Sequence, residues 1–175
     1  MDLKEYIRSI PDYPKKGILF RDITTLIKNS EAFNYSIDKI VDIAKNQDFD
    51  KIAGIESRGF VFASAVSYKL KKPFIMMRKK NKLPAEKISV DFQLEYGTAT
   101  LEVHKDSINS GEKILIIDDL IATGGTAEAG AKLVEMCKGK VSGFIFIINL
   151  FDLGGNQKLK DKSYFTKSLI EFPGH

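Results

Sequence analysis

Asp118 and Asp119 stand at the end of the apolar run Ile114-Leu115-Ile116-Ile117, and Leu120-Ile121-Ala122-Thr123-Gly124-Gly125-Thr126 follows them. Continuous apolarity after Lys113 predicts a strand over 113–117, covered on both faces, that delivers two adjacent carboxylates into a turn rich in Thr and Gly. Behind the turn, residues 127–138 have the pattern of a helix. Each part has a chemical use. Gly124 and Gly125 let backbone N–H groups converge on a phosphate, Thr123 and Thr126 add hydroxyl donors, and the helix presents the positive end of its dipole. The carboxylates would repel that phosphate. They suit a neutral polyhydroxyl group such as a ribose, with one accepting from its hydroxyls and the other bracing the site or its metal ion. Phosphate and ribose together imply a phosphorylated sugar.

Other phosphate motifs fail on inspection. Residues 54–59 have the glycine spacing of a Walker loop, but Phe60 stands where its lysine is required, and residues 125–130 fail in the same way at Ala131. No G-x-G-x-x-G follows a predicted strand, so a dinucleotide fold has no anchor. The net charge of +4 is local: Arg78, Lys79, Lys80, Lys82 and Lys87 face the single anion Glu86 within one ten-residue window, and the rest of the chain is neutral. So compact a cationic loop, with no aromatic residue in it, fits a small polyanion and excludes a nucleic-acid surface, which spreads its charge and interleaves aromatics for stacking.

The positioning elements follow from periodicity. Residues 30–45 read as a helix, with Ser30 as its N-cap and Phe33, Ile37, Ile40, Val41 and Ala44 on one face. Residues 51–55 and 73–77 read as short strands, and 60–70 as a helix whose small residues permit close packing. Residues 97–104 alternate as a half-exposed strand, with Glu102 on its polar side, and 141–150 form a last apolar strand. Alternating strands and helices predict one α/β domain over 1–175, with a mostly parallel central sheet flanked by helices and its ligand at the carboxyl ends of the strands, after Ile55, Met77 and Ile117. Residues 79–95 carry Pro84 and no evident period, and read as a flexible lid loop. No element is assigned to 154–175. The lone cysteine, Cys137, reads as a buried helical thiol. No stretch has the ~18 uncharged apolar residues of a membrane span, and the charged first residues lack a secretory h-region, which leads us to expect a cytoplasmic protein.

The segment 114–126 resembles the phosphoribosyl-pyrophosphate motif of type I phosphoribosyltransferases, and the resemblance extends over nearly the whole chain. It includes Gly17-Ile18-Leu19-Phe20-Arg21-Asp22-Ile23, Glu56-Ser57-Arg58-Gly59-Phe60, the loop 78–83 and Leu94-Glu95-Tyr96-Gly97. Phe-Arg-Asp at 20–22 and Leu-Glu-Tyr-Gly at 94–97 together single out members that use adenine. The resemblance implies Mg2+-dependent transfer of the 5-phosphoribosyl group from its pyrophosphate to N9 of adenine, giving AMP. Asp118 and Asp119 would hold the ribose hydroxyls, with Mg2+ carried by the donor nearby, and Ala122, Thr123, Gly124, Gly125 and Thr126 would wrap the 5-phosphate. Ser57, Arg58, Arg78, Lys79 and Lys82 would receive the pyrophosphate. Glu95 is the implied acid/base, Arg58 and Tyr96 count with it as catalytic residues, and Tyr96 helps to close and order the lid that excludes water. An N-terminal hood over 1–30 would grip the base, with Phe20 stacking and the main chain of Leu19 and Arg21 reading its edge.

A homodimer is also implied. His104 and His175 carry no implied role, and Asn34-Tyr35-Ser36 is a chance match to a glycosylation signal. Two alternatives are weighed against this reading. A regulatory module that binds the donor without turnover should have lost the lid acid, which this chain keeps at Glu95. A 6-oxopurine enzyme should place a lysine after the fifth strand, and residues 149–153 contain none.

Overall fold

The computed structural model describes residues 1–94 and 97–175. Two antiparallel strands, β1 (Arg8–Pro11) and β2 (Leu19–Asp22), form a small sheet at the amino-terminal end. After a short turn of helix, α1 (Thr24–Ile27), comes α2 (Ser30–Ala44). Its N-cap is Asn29 and not the expected Ser30: Asn29 is extended and its side chain accepts from Ala32 N–H at 3.0 Å. Both residue types cap well, and the backbone turns helical one residue earlier than the pattern suggested.

The remaining strands are β3 (Lys51–Ile55), β4 (Phe74–Lys79), β5 (Lys87–Gln93), β6 (Thr98–His104), β7 (Lys113–Ile121), β8 (Lys140–Leu150) and β9 (Thr166–Phe172). They make one seven-stranded sheet in the order β5-β6-β4-β3-β7-β8-β9. The pairs from β4 through β9 are parallel, and β6 pairs antiparallel with both β4 and β5. Helix α3 (Arg58–Leu70) follows β3, α4 (Gly125–Met136) follows β7, and α5 (Gly155–Asp161) precedes β9. This is the expected α/β class.

Strand β7 shows why the apolar runs are continuous. Leu115 and Ile117 pack in a core with α2 and α3, while Ile114 and Ile116 pack in a second core with α4 on the opposite face. A strand buried on both faces has no polar side to alternate with. Cys137 is buried at the C-cap of α4.

Two expectations require correction. Residues 79–95 are not an irregular loop throughout, since β5 pairs with β6 from Lys87↔His104 to Gln93↔Thr98. Ile88, Val90 and Phe92 do alternate with Ser89, Asp91 and Gln93, a strand period hidden by the flanking cations and Pro84. Glu102 is 3% exposed and not on a solvated face; it accepts from Asn81 N–H and the Ser89 hydroxyl and pairs with Lys87 at 3.4 Å. The carboxyl-terminal stretch, to which the sequence assigned nothing, supplies α5 and the edge strand β9.

Candidate active site

At the carboxyl ends of β3, β4 and β7 lies a cleft of about 1110 Å³. Its floor comes from β7, which runs on through both aspartates to Ile121 and does not stop at Ile117 as expected. Asp118 and Asp119 are buried, and Asp118 Oδ1 accepts Asp119 N–H at 2.8 Å. Helix α3 packs so close that a Cβ on Gly59 would stand 2.6 Å from Asp118 Oδ1, and only glycine allows that approach. Arg58 Nε lies 2.8 Å from Asp119 Oδ2, but off the hydrogen-bonding direction, so this buried oxygen accepts no hydrogen bond. Burial pushes both carboxyls above the usual range. Repulsion from Asp119 adds to this at Asp118, whereas Arg58 opposes it at Asp119.

Beyond the floor, Ala122, Thr123, Gly124, Gly125 and Thr126 line one wall. Gly124 has φ +88° and is the N-cap of α4, so the wall ends on the free N–H groups of a helix start. The opposite wall holds Ser57, Arg58, Lys79 and Lys80. Ser57 precedes α3 without capping it, which leaves its hydroxyl to the cleft. Glu56 ties this wall together: its carboxylate accepts Lys79 N–H at 2.8 Å and two Arg78 N–H groups at 3.3 Å. Burial alone would raise the Glu56 carboxyl, but these bonds hold it below the usual range. Phe20 reaches in from the amino-terminal sheet, with Arg58 5.4 Å over its ring.

The cleft therefore gathers Phe20, Ser57, Arg58, Lys79, Asp118, Asp119 and all five residues of the glycine-threonine turn. Leu19, Arg21, Arg78 and Lys82 are not among its lining residues. Arg78 is turned to Glu56 and to the Lys82 carbonyl. The Arg21 guanidinium is buried, donating to Ser9 Oγ at 2.5 Å and to Pro173 O at 3.0 Å, with its Cζ 4.4 Å from the centre of the Phe172 ring. Its Nε is buried without a hydrogen-bond partner, and Arg21 does not line the cleft. Glu95 and Tyr96 lie outside the described residues. Sequence reasoning missed Lys80, and it missed Asp91, Phe92, Gln93, Thr98 and Thr100 on the hairpin β5–β6, which overhangs the cleft. The alternation in β5 was the signal that could have found them.

Among the described residues no three His, Cys, Asp or Glu side chains form a group able to hold a metal ion by themselves. The Asp119 oxygen that is ion-paired with Arg58 but accepts no hydrogen bond fits a ribose hydroxyl or the water shell of a cation carried in with a ligand.

The comparisons with known proteins place this cleft in a family. The sequence profile of the phosphoribosyl transferase domain matches residues 23–174. The chain belongs to the phosphoribosyl transferase family. It is 71% identical, over the full length of both chains, to adenine phosphoribosyltransferase of Pelagibacter ubique. The crystal structure of adenine phosphoribosyltransferase from Thermoanaerobacter pseudethanolicus is similar with a TM-score of 0.93 and 48% identity, covering 97% of this chain and 98% of that one. The Saccharomyces cerevisiae enzyme complexed with an imino-altritol bisphosphate and adenine has a TM-score of 0.88 and 33% identity, covering 96% of each chain. Within the family, the expected resemblance to the adenine-using members is borne out by these relatives. Among the described residues no helix is long and apolar enough to cross a membrane.

Proposed function

We propose that the protein transfers the 5-phosphoribosyl group of 5-phosphoribosyl 1-pyrophosphate to N9 of adenine, releasing pyrophosphate and forming AMP, a purine-salvage reaction. The observation that carries this reading is the cleft floor: two buried adjacent carboxylates, one with an oxygen that accepts no hydrogen bond, abut a glycine-threonine turn that opens a helix. The relatives named above supply the base.

Asp118 and Asp119 accept from the ribose hydroxyls, and residues 122–126 surround the 5-phosphate with backbone N–H groups and two threonine hydroxyls. The leaving pyrophosphate meets Ser57, Arg58, Lys79 and Lys80, a set of donors and cations fixed before it departs. Arg78 acts at one remove, through Glu56, and Lys82 offers its cation from the adjoining turn. Asp118 and Asp119 are the residues that would hold Mg2+ carried in with the donor, and the ion would supply neutralisation of the pyrophosphate charge. Glu95 manages the purine proton, and Tyr96 and the lid over residues 79–95 close the cleft against water, which would otherwise consume the donor. Residues 1–30 form the hood. There Phe20 stacks on the purine, and main-chain groups of Leu19 and Arg21 offer a carbonyl to the 6-amino group and an N–H to N1. The working form is a cytoplasmic homodimer.

Base choice tests the proposal. A 6-oxopurine reverses the order of donor and acceptor and leaves buried groups unpaired, a mismatch worth on the order of 10⁴-fold in specificity. Mass spectrometry after incubation with the donor and adenine, hypoxanthine, guanine or xanthine should find AMP and little other product. Equal rates with hypoxanthine and adenine would overturn the base assignment, and no nucleotide at all would overturn phosphoribosyl transfer.

A further inference from the structure

The carboxyl-terminal region lies directly behind the phosphate turn. Gly154, at φ +78°, starts α5. Gly155 N–H donates to Ala122 O at 3.0 Å, and Lys158 Nζ donates to Thr123 O at 3.1 Å. A Cβ on Gly155 would stand 2.3 Å from Ala122 O, 2.6 Å from Gly124 N and 2.9 Å from Ile121 Cγ1. Two of those three atoms are backbone, which cannot rotate aside. The approach is mutual, since a Cβ on Gly124 would stand 3.0 Å from Gly155 Cα. Nor can α5 retreat. Leu159 is fully buried, Lys162 pairs with Glu128 of α4 at 2.7 Å, and the Tyr164 hydroxyl donates to Glu135 of α4 at 2.6 Å.

In a trans peptide the carbonyl and the following N–H point in opposite directions. By drawing the carbonyls of Ala122 and Thr123 to itself, α5 turns the N–H groups of Thr123 and Gly124 away, toward the cleft that both residues line. We propose that Gly155 and Lys158 are positioning residues for the donor's 5-phosphate, holding two carbonyls of the 122–126 turn from behind so that its N–H groups face the phosphate before it binds. Donors fixed in advance cost no reorganisation when the ligand arrives. The inference rests on the assignment of this turn to the 5-phosphate made above.

Three variants of the full chain test it: Gly155→Ala, Lys158→Met and Lys158→Arg. Steady-state kinetics give the KM for the donor, the KM for adenine at saturating donor, and kcat; calorimetry gives the Kd for AMP. Gly155→Ala should raise the donor KM and the AMP Kd roughly tenfold or more, the scale of a displaced contact set, and leave the adenine KM within about twofold. Lys158 is exposed, so Lys158→Met should raise the same two constants by only about threefold, and Lys158→Arg should restore them. A merely structural defect would lower the amount of active protein, and with it the apparent kcat, without separating the two KM values. A folded Gly155→Ala variant with unchanged donor KM and AMP Kd, or with both KM values raised together, overturns the inference. Should Gly155→Ala fail to fold, unchanged constants in Lys158→Met overturn it instead. Wild-type protein that forms no AMP would refute the proposed function, whereas active wild type with unaltered variants refutes the α5 role alone.

Discussion

Asp118→Asn should make the protein more stable and less able to bind its donor, and the two effects come from one cause. Asp118 is 8% exposed and Asp119 5%, and burial together with the neighbouring charge raises the Asp118 carboxyl well above 3.8. A raised carboxyl means that the folded chain holds the proton more tightly than the unfolded chain. Stability from this group is therefore complete below the unfolded value and is lost as pH rises from there toward the folded value. At a pH above the folded value the wild type bears the whole cost, and Asp118→Asn bears none. The amide keeps an oxygen for the Asp119 N–H now bound at 2.8 Å. An incompletely paired buried polar or charged group costs on the order of 1–3 kcal/mol. For a domain of this size that is a rise of roughly 3–10 °C in Tm. The loss of charged hydrogen bonds to the ribose, about 1.5–3 kcal/mol, weakens donor binding roughly 10- to 150-fold. Melting of both proteins from about pH 5 to about pH 8, with calorimetric titration of the donor, measures both effects. A Tm difference that does not grow with pH, or donor affinity equal to wild type, refutes the reasoning.

Asp22 reports the opposite sign. Burial raises its carboxyl, but hydrogen bonds from Arg8 and from the Thr24 N–H and hydroxyl outweigh that and hold it at about 2. Its contribution is present above the unfolded value near 4 and disappears as pH falls through about 2. Because Arg8 is largely exposed, Asp22→Asn should cost at most about 2 kcal/mol at pH 7 in urea unfolding, with the gap closing toward pH 2; a pH-independent gap would place the effect elsewhere. Glu95→Gln keeps the shape and removes the titratable proton, so kcat should fall roughly 100-fold or more while adenine binding changes far less. Near-normal turnover at saturating substrates would remove Glu95 from the chemistry.

What the chain made legible was whatever is local. The continuous apolarity of Ile114 to Ile117 reports a strand buried on both faces, and the residue types from Asp118 to Thr126 name the chemistry at its end. Features that depend on distant partners were not legible. Glu102 looks outward by alternation, and it is buried because Asn81, Ser89 and Lys87 bring their donors to it. Arg78 looks like a ligand-binding cation, yet it is turned toward Glu56 and the Lys82 carbonyl. Edge strand β9 escaped notice because an edge tolerates Lys167 and other polar residues that a central strand would exclude.

The bond from Arg21 to Pro173 joins residues 152 positions apart, and Gly174 N–H is held by Asp152 at 2.7 Å. A two-stranded ribbon such as β1–β2 has little stability alone. During synthesis these two ties therefore close only after residues 173 and 174 have left the ribosomal tunnel, long after the turn at 122–126 has emerged. The amino-terminal strands would receive this partner after the 122–126 turn and α5 have formed behind them in the chain, so this part of the assembly would run against the order of the sequence.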